Sequence, residues 1–411
     1  MNLLNKNIIL IFVAVLTLVA GMVSIKNFKA EPDNEVIVWT LQMGDFSDYM
    51  NGVISDFETE NPNIKIKWVD VPFSEGEKRT LASVLSDNPP DLINLNPDFS
   101  ATLAQKGTLF EIPEEATGQF NPSVLNTLKY NDKLYSLPWY ATSAVTIYNK
   151  DLISRAGVGV AKTYEEAGQI APKIKEKTGA YVFLPNLTEN DTMLKILNKY
   201  GINSPENIAS DESVEVFEFF KKLYYQNLIP KETITQTHRE ALEKYMSENI
   251  VLFQAGANFL NMIKENAPTT YAHTDVAPQI TGSLGQNDFS LMNFVIPLRA
   301  KHKEEALKFA LFLTNPKNQL GLAKLTNVIA VNQKALQNDF YTKYSPDDLQ
   351  AKARVISARQ LNKTEPVMKS SQNQKDINNL VNAAVQKILL NEGDTKEILL
   401  KLSKEWAELL K

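Results

Sequence analysis

Among its 411 residues the chain has no cysteine. That absence excludes disulfides, thiolate metal sites, thiol nucleophiles and lipid attachment through an N-terminal cysteine. Histidine is scarce too: His238, His273 and His302 are the three, and none stands four residues from another. A zinc site would need ligands that the sequence does not group, and no cofactor or metal is expected. Also missing are G-x-x-x-x-G-K-[ST], G-x-S-x-G, and any G-x-G-x-x-G following a strand. These gaps remove the commonest nucleotide-binding and serine-hydrolase readings. Positive charge is not in excess either. Lys and Arg total 43 against 48 Asp and Glu, for a net charge of -5. A nucleic-acid partner is not expected, because no basic face is available to displace counterions from phosphates. Repeats and low-complexity tracts are absent, which excludes solenoids and long linkers.

What is present begins with an apolar run. Lys6 precedes residues 8–25 (IILIFVAVLTLVAGMVSI), interrupted only by Thr17 and Ser24. Eighteen residues of helix would reach about 27 Å, long for a secretory signal and just enough to span a bilayer. Leu18-Val19-Ala20-Gly21 resembles the box before a lipoprotein cysteine, but Met22 occupies the cysteine position. The run predicts export to the periplasm or the cell exterior. A cut after Ala20, or after Ala30, would give a soluble protein, and an uncleaved segment would give a membrane anchor. Both forms stay open at this stage.

The remaining length exceeds what one hydrophobic core usually covers, so two domains are expected. Val36 to Trp39 reads as a strand, and Phe46, Met50, Val53, Ile54 and Phe57 recur at helical spacing. Ile64, Ile66 and Trp68 alternate with lysines as a second strand. Leu81, Val84 and Leu85 mark another helix, and Asn88-Pro89-Pro90 precedes a strand at Leu92 to Leu95. Strand, helix, strand, helix, strand predicts a parallel sheet with helical crossovers. Residues 155–285 read as more helical. Ile377, Leu380, Val381, Ala384, Val385, Ile388 and Leu389 mark a penultimate helix, and Asp394 caps the last one.

Chemistry is thinly signalled. Asp45, Asp48, Asp91 and Asp98 could supply the acid/base pair of a glycosidase, yet each also suits a helix start or a turn. Aromatic placement says more. Trp39 ends the first strand, where open parallel sheets bind ligands. Trp139 and Tyr140 stand side by side in an otherwise strand-like passage, and Phe99 follows Asn94, Asn96 and Asp98. A sugar ring needs a flat apolar surface together with amides and carboxylates that donate and accept. Trp68 and Trp406 suit core packing.

Asp132 to Trp139, Tyr148 to Leu152, Asn88 to Ile93, Tyr245 to Phe259 and Glu304 to Gln319 together resemble segments of one family, the extracellular solute-binding proteins of ABC importers, in the branch that includes maltose-binding protein. Asp132 to Trp139 (DKLYSLPW) followed by Tyr148 to Leu152 (YNKDL) is similar to that family's GKLYGLP…YNKDLF passage, with Asp132 where Gly is usual. Asn88 to Ile93 (NPPDLI), Tyr245 to Phe259 (YMSENIVLFQAGANF) and Glu304 to Gln319 (EEALKFALFLTNPKNQ) resemble further family segments in the same order.

The resemblance implies an α/β, periplasmic-binding-protein-like fold of type II, with two α/β lobes joined by a multi-crossover hinge. The first lobe would be 36–141 plus 296–328 and the second 145–291 plus 332–411. A solute, with carbohydrate favoured, would bind between the lobes, drive hinge closure and be delivered to ABC permease subunits. The protein would be a monomer and not an enzyme. The implied contacts are Trp39, Gln42, Asp45, Asn96, Asp98, Trp139, Tyr140, Asn258, Phe259, Asn293 and Asn332, several of which also suit capping or turn roles. The alternative is a membrane-anchored carbohydrate sensor or polysaccharide-capturing protein uncoupled from import.

Overall fold

A computed structural model describes residues 35–363 and 373–410. The apolar run at 8–25 lies outside the described residues. Among the described residues no helix is long and apolar enough to cross a membrane.

Three strands build the parallel half of a six-stranded sheet: β1 (Glu35–Leu41), β2 (Lys65–Val71) at its edge and β3 (Leu92–Leu95). The expected strand–helix alternation is present, with helices Ser47–Glu60 and Phe73–Val84 as the crossovers. In the first of these, Met50, Val53 and Phe57 are buried at helical spacing. Phe57 meets Phe309 and Phe312 edge-on, with ring centroids 4.9 and 5.3 Å away. After a short hairpin of β4 (Lys129–Tyr130) and β5 (Lys133–Leu134), the chain enters β6 (Ser136–Thr142). The sheet order is β11-β6-β10-β3-β1-β2, where β10 is Ser290–Val295 and β11 is Ile329–Ala330, both antiparallel to β6.

A second sheet of three antiparallel strands has β7 (Val145–Asn149) between β8 (Leu252–Ala255) and β9 (Thr274–Ala277). Its flanking core is helical. Val216, Phe217, Phe220 and Leu223 pack with Ile377, Val381, Val385, Ile388, Leu399 and Trp406. Asp394 caps the final helix, Thr395–Leu409, by accepting the Glu397 amide at 3.0 Å.

The chain passes from the first sheet to the second at Ser143–Ala144 and returns between Ala277 and Ser290. Leu291 lies in the core of the first sheet, so the expected second-lobe boundary at 291 runs slightly too far. The third passage falls later than 328–332. Ala335, Tyr341, Ala358 and Leu361 pack with the first core, whereas Ala353 packs with the second. The helix Leu349–Gln360 therefore straddles both bodies.

The tandem rings in β6 have a local explanation. Met292 pairs with Tyr140 and Asn293 with Pro138, leaving Trp139 as the extra residue of a β-bulge. Pro138 cannot donate to a ladder, and a bulge is where an interior strand tolerates it. The Trp139 carbonyl instead accepts from Gln319 Nε2 at 2.5 Å. Gln319 Oε1 in turn accepts the Val331 and Asn332 amides at 2.8 and 2.9 Å. One amide side chain thus ties the bulge to the segment that follows β11.

Candidate functional site

The register fixes which edge of the first sheet faces the second body. Asn293 sits opposite Leu95, so the start of β10 runs past the carboxyl end of β3, and Ser290 pairs with Thr142 at the crossing. The carboxyl ends of β1, β2 and β3 therefore all point toward the hinge. In open α/β sheets this is the edge that carries ligands.

Gln42 and Asp45 are exposed on this edge. Gln42 holds a left-handed backbone (φ 53°) while its amide bonds the Val71 carbonyl at 3.0 Å. Such a conformation in a residue other than glycine costs about 1 kcal/mol or more and persists only where its surroundings fix it. Trp39 is half-buried, and the Arg79 guanidinium lies 5.3 Å from its ring centroid. Asn96 caps the helix Pro97–Gln105 by accepting the Phe99 amide at 2.8 Å, and it donates to Glu77 at 3.2 Å.

Asp98 reaches toward the other body. Its carboxyl is pushed up to about 6, first by desolvation and then by the Asp191 and Glu77 carboxylates, with the Lys195 ammonium opposing. Asp98 is exposed along part of its side chain, but the charge responds to the protein crowding the carboxyl in the gap. Asp191 and Lys195 belong to the second body, so the two walls are near enough to share a field.

The second wall surrounds a cavity of about 270 Å³ bordered by Ala144 and Asp288 at the crossings. His238 stacks on Phe253 with centroids 4.7 Å apart and meets Phe259 edge-on at 5.2 Å. Burial pushes the His238 imidazole downward, which favours the neutral ring. Its backbone amide donates to Glu189 Oε2 at 2.7 Å. The loop carrying Glu189 turns through two left-handed asparagines, Asn186 and Asn190, a residue type whose short side chain tolerates that region. Lys199 is almost fully buried, its ammonium 2.9 Å from both Gln279 Oε1 and the Ile280 carbonyl and 3.6 Å from Asp288. Gln254 donates to Thr146 at 3.0 Å and completes the polar lining.

Three expected contacts are corrected. Trp139 is fully enclosed, with its ring 4.6 Å from Phe294, because the bulge turns it into the first core. Asn293 is equally buried and donates to Ser100 of the helix Pro97–Gln105 at 2.7 Å. Asn332 is an internal cap, accepting the Lys334 and Ala335 amides and donating to Gln119 and the Thr314 carbonyl. Tyr140 is half-buried beside Trp139, and desolvation pushes its phenol up to about 12. Asn258 starts the helix Phe259–Asn266 without a side-chain capping bond. Several of residues 183–199, and His238, line the cavity of the second wall without a sequence expectation. The signal was the FLPNLTEND stretch, whose Pro and Asn residues follow an apolar run as a pocket rim would. Among the described residues no group of acids and histidines could hold a metal ion.

Comparisons with known proteins agree with this geometry. The family model described as bacterial extracellular solute-binding protein matches residues 42–320. The multiple sugar-binding protein of Streptococcus mutans is 26% identical over 314 residues, covering 70% of this chain and 73% of that protein. The galactooligosaccharide-binding protein of Bacillus subtilis is 22% identical over 386 residues, with 89% and 87% covered. Among solved structures, a candidate oligosaccharide periplasmic-binding protein of Synechococcus sp. MITs9220 superposes with a TM-score of 0.77 at 28% identity. That match covers 91% of this chain and 98% of the other. The sugar-binding protein MalE of Xanthomonas citri gives a TM-score of 0.75 at 19% identity, covering 92% and 97%. The fold is the two-lobed α/β architecture of type II periplasmic-binding proteins. With a family model spanning more than half its length, two facing walls and a lined cavity in the second of them, this chain belongs to the bacterial extracellular solute-binding proteins.

Proposed function

We propose that the protein is the exported receptor of an ABC importer, capturing an oligosaccharide between its lobes and presenting it to a membrane permease as a monomer. The observation that carries this reading is the second wall. There a neutral His238 backed by Phe253 and Phe259 offers ring surface beside Asn186, Glu189, Lys195 and Gln254. Rings that meet the C–H face of a sugar, with amides and charges at the rim for its hydroxyls, are what a carbohydrate requires. The names of the similar proteins, which include a diacetylchitobiose-binding protein of Streptomyces coelicolor, support the same class.

The first wall contributes Gln42, Asp45, Asn96 and Asp98, so a ligand touching both walls draws them together. A micromolar ligand releases about 8 kcal/mol on binding. Turning a population from 1:99 to 99:1 closed takes roughly 5.5 kcal/mol of differential affinity, which fits within that figure. Titration calorimetry of the full chain against mono- and oligosaccharides, with small-angle scattering of the same samples, tests the proposal. Saturable binding of a neutral oligosaccharide with a fall in radius of gyration is expected. Absence of binding across the panel rejects the sugar, binding without compaction rejects hinge closure, and cleavage of the bound sugar rejects a purely receptive role.

A further inference from the structure

The segment from Ala277 to Asp288 separates two cavities. Ile280 and Asp288 line the cleft pocket, while Pro278, Thr281, Gly285 and Asn287 line a second and larger one of about 410 Å³. This volume lies in the range of roughly 300–1,000 Å³ typical of small-molecule sites. Three cations meet at the second cavity: Lys162 from the second lobe, and Arg359 and Lys363 from the end of the straddling helix and its continuation. Among the described residues none of the three has an ion pair, and none of those lining the cavity is a carboxylate. Glu166, on the adjoining helix, is engaged with the Lys162 backbone amide at 2.7 Å. In a protein of net charge -5, such a grouping stands against the overall field.

The negative end of the straddling helix would ordinarily oppose an anion here. Two carbonyls at that end are already engaged, because Asn287 donates from its side chain to those of Gln360 and Lys363 and from its backbone to Lys363. Val160, Ala161, Pro278 and Ile356 add apolar lining beside the polar Gln279, Thr281 and Gln360. Isolated surface cations contribute little, but three converging on one concave space can act together, and a guanidinium matches phosphate and carboxylate geometry in two-point fashion.

We propose that this second cavity binds a small organic oxyanion, a phosphate ester or polycarboxylate with an apolar body, separately from the solute in the cleft. Its walls come from both sides of the hinge. Ala358 and Leu361 beside Arg359 sit in the first core, whereas Lys162 and Pro278 belong with the second lobe. Occupancy therefore favours one hinge angle and alters cleft affinity, and by linkage the cleft ligand alters oxyanion affinity by the same factor.

The test is titration calorimetry of the full chain with a hexose 6-phosphate and with citrate, against inorganic phosphate, the free hexose and sodium chloride at matched ionic strength. Saturable binding of one organic anion is expected, with the hexose phosphate distinguishing an ester site and citrate a carboxylate site. Arg359→Gln should weaken it about tenfold, and Arg359→Gln with Lys162→Gln should abolish it. His238→Ala should leave it unchanged, which separates this site from the cleft and keeps the result independent of whether the cleft takes sugar. Equal binding by the double variant, loss of binding in the His238 variant, or responses no larger than those of chloride or inorganic phosphate would overturn the proposal.

Discussion

Replacing Trp139 tests the finding that its ring is structural. The indole is fully enclosed, 4.6 Å from Phe294 and 5.0 Å from Tyr140. A Trp side chain buries about 200 Å², worth about 5 kcal/mol at about 25 cal/mol/Å², an upper figure because an unfolded chain already hides part of it. Trp139→Ala should therefore cost about 4 kcal/mol, consistent with other enclosed tryptophans. Trp139→Phe should cost far less. Its ring keeps the Phe294 contact, and it removes Nε1, a buried donor with no partner among the described residues. Leaving such a donor unpaired costs about 1–3 kcal/mol, which offsets most of the lost area and leaves a net penalty near 1 kcal/mol. Urea unfolding followed by circular dichroism gives both figures, and titration at low temperature, where each variant stays folded, gives sugar affinity. Affinity for Trp139→Phe should match the unmodified protein. A tenfold loss of affinity in a variant of unchanged stability would refute the reasoning and return the ring to the ligand.

Other outcomes are equally specific. Asp98→Asn should be neutral below about pH 4, where the native carboxyl is protonated, and stabilising above pH 6, where the charge is penalised. The rise toward about 6 equals at most about 3 kcal/mol, and partial exposure reduces it to about 1 kcal/mol, readable as a pH-dependent difference in melting temperature. Lys199→Met should cost about 3 kcal/mol in urea unfolding, because Gln279 Oε1 and the Ile280 carbonyl lose a buried charged donor. His238→Ala should weaken sugar binding about tenfold, or about 1.4 kcal/mol, with little effect on stability; unchanged affinity would remove the ring from the site.

The strand and helix order was legible because hydrophobic spacing records it locally. Val36, Met50, Val53 and Phe57 announce their buried faces without knowledge of their partners. Site residues were harder to read because the same types serve capping and packing. Asn332 and Asn293 resemble sugar-contacting amides in sequence, yet one caps a helix and the other donates to Ser100 across 193 positions. Trp139 was misread for a conformational reason. Strand alternation alone does not reveal a bulge, and the Gln319 amide that satisfies its carbonyl lies 180 positions away. Phe259 meets His238, whose own position carries no spacing that points to it.

The interleaving of the first sheet shapes how the molecule comes into being. β6 emerges early, but its neighbour β10 follows only after about 150 further residues. At about 5–20 residues per second, a ribosome needs roughly 8–30 s to supply it. Throughout that interval β3 and β6 have no β10 between them, and Trp139 lacks Phe294 to rest on. The nascent first lobe is thus unable to complete itself ahead of its sister. Under the proposed export, in which an unfolded chain would thread a translocation channel, such built-in delay is an advantage, and moving β10 ahead of the second lobe by circular permutation should speed folding at the expense of secretion.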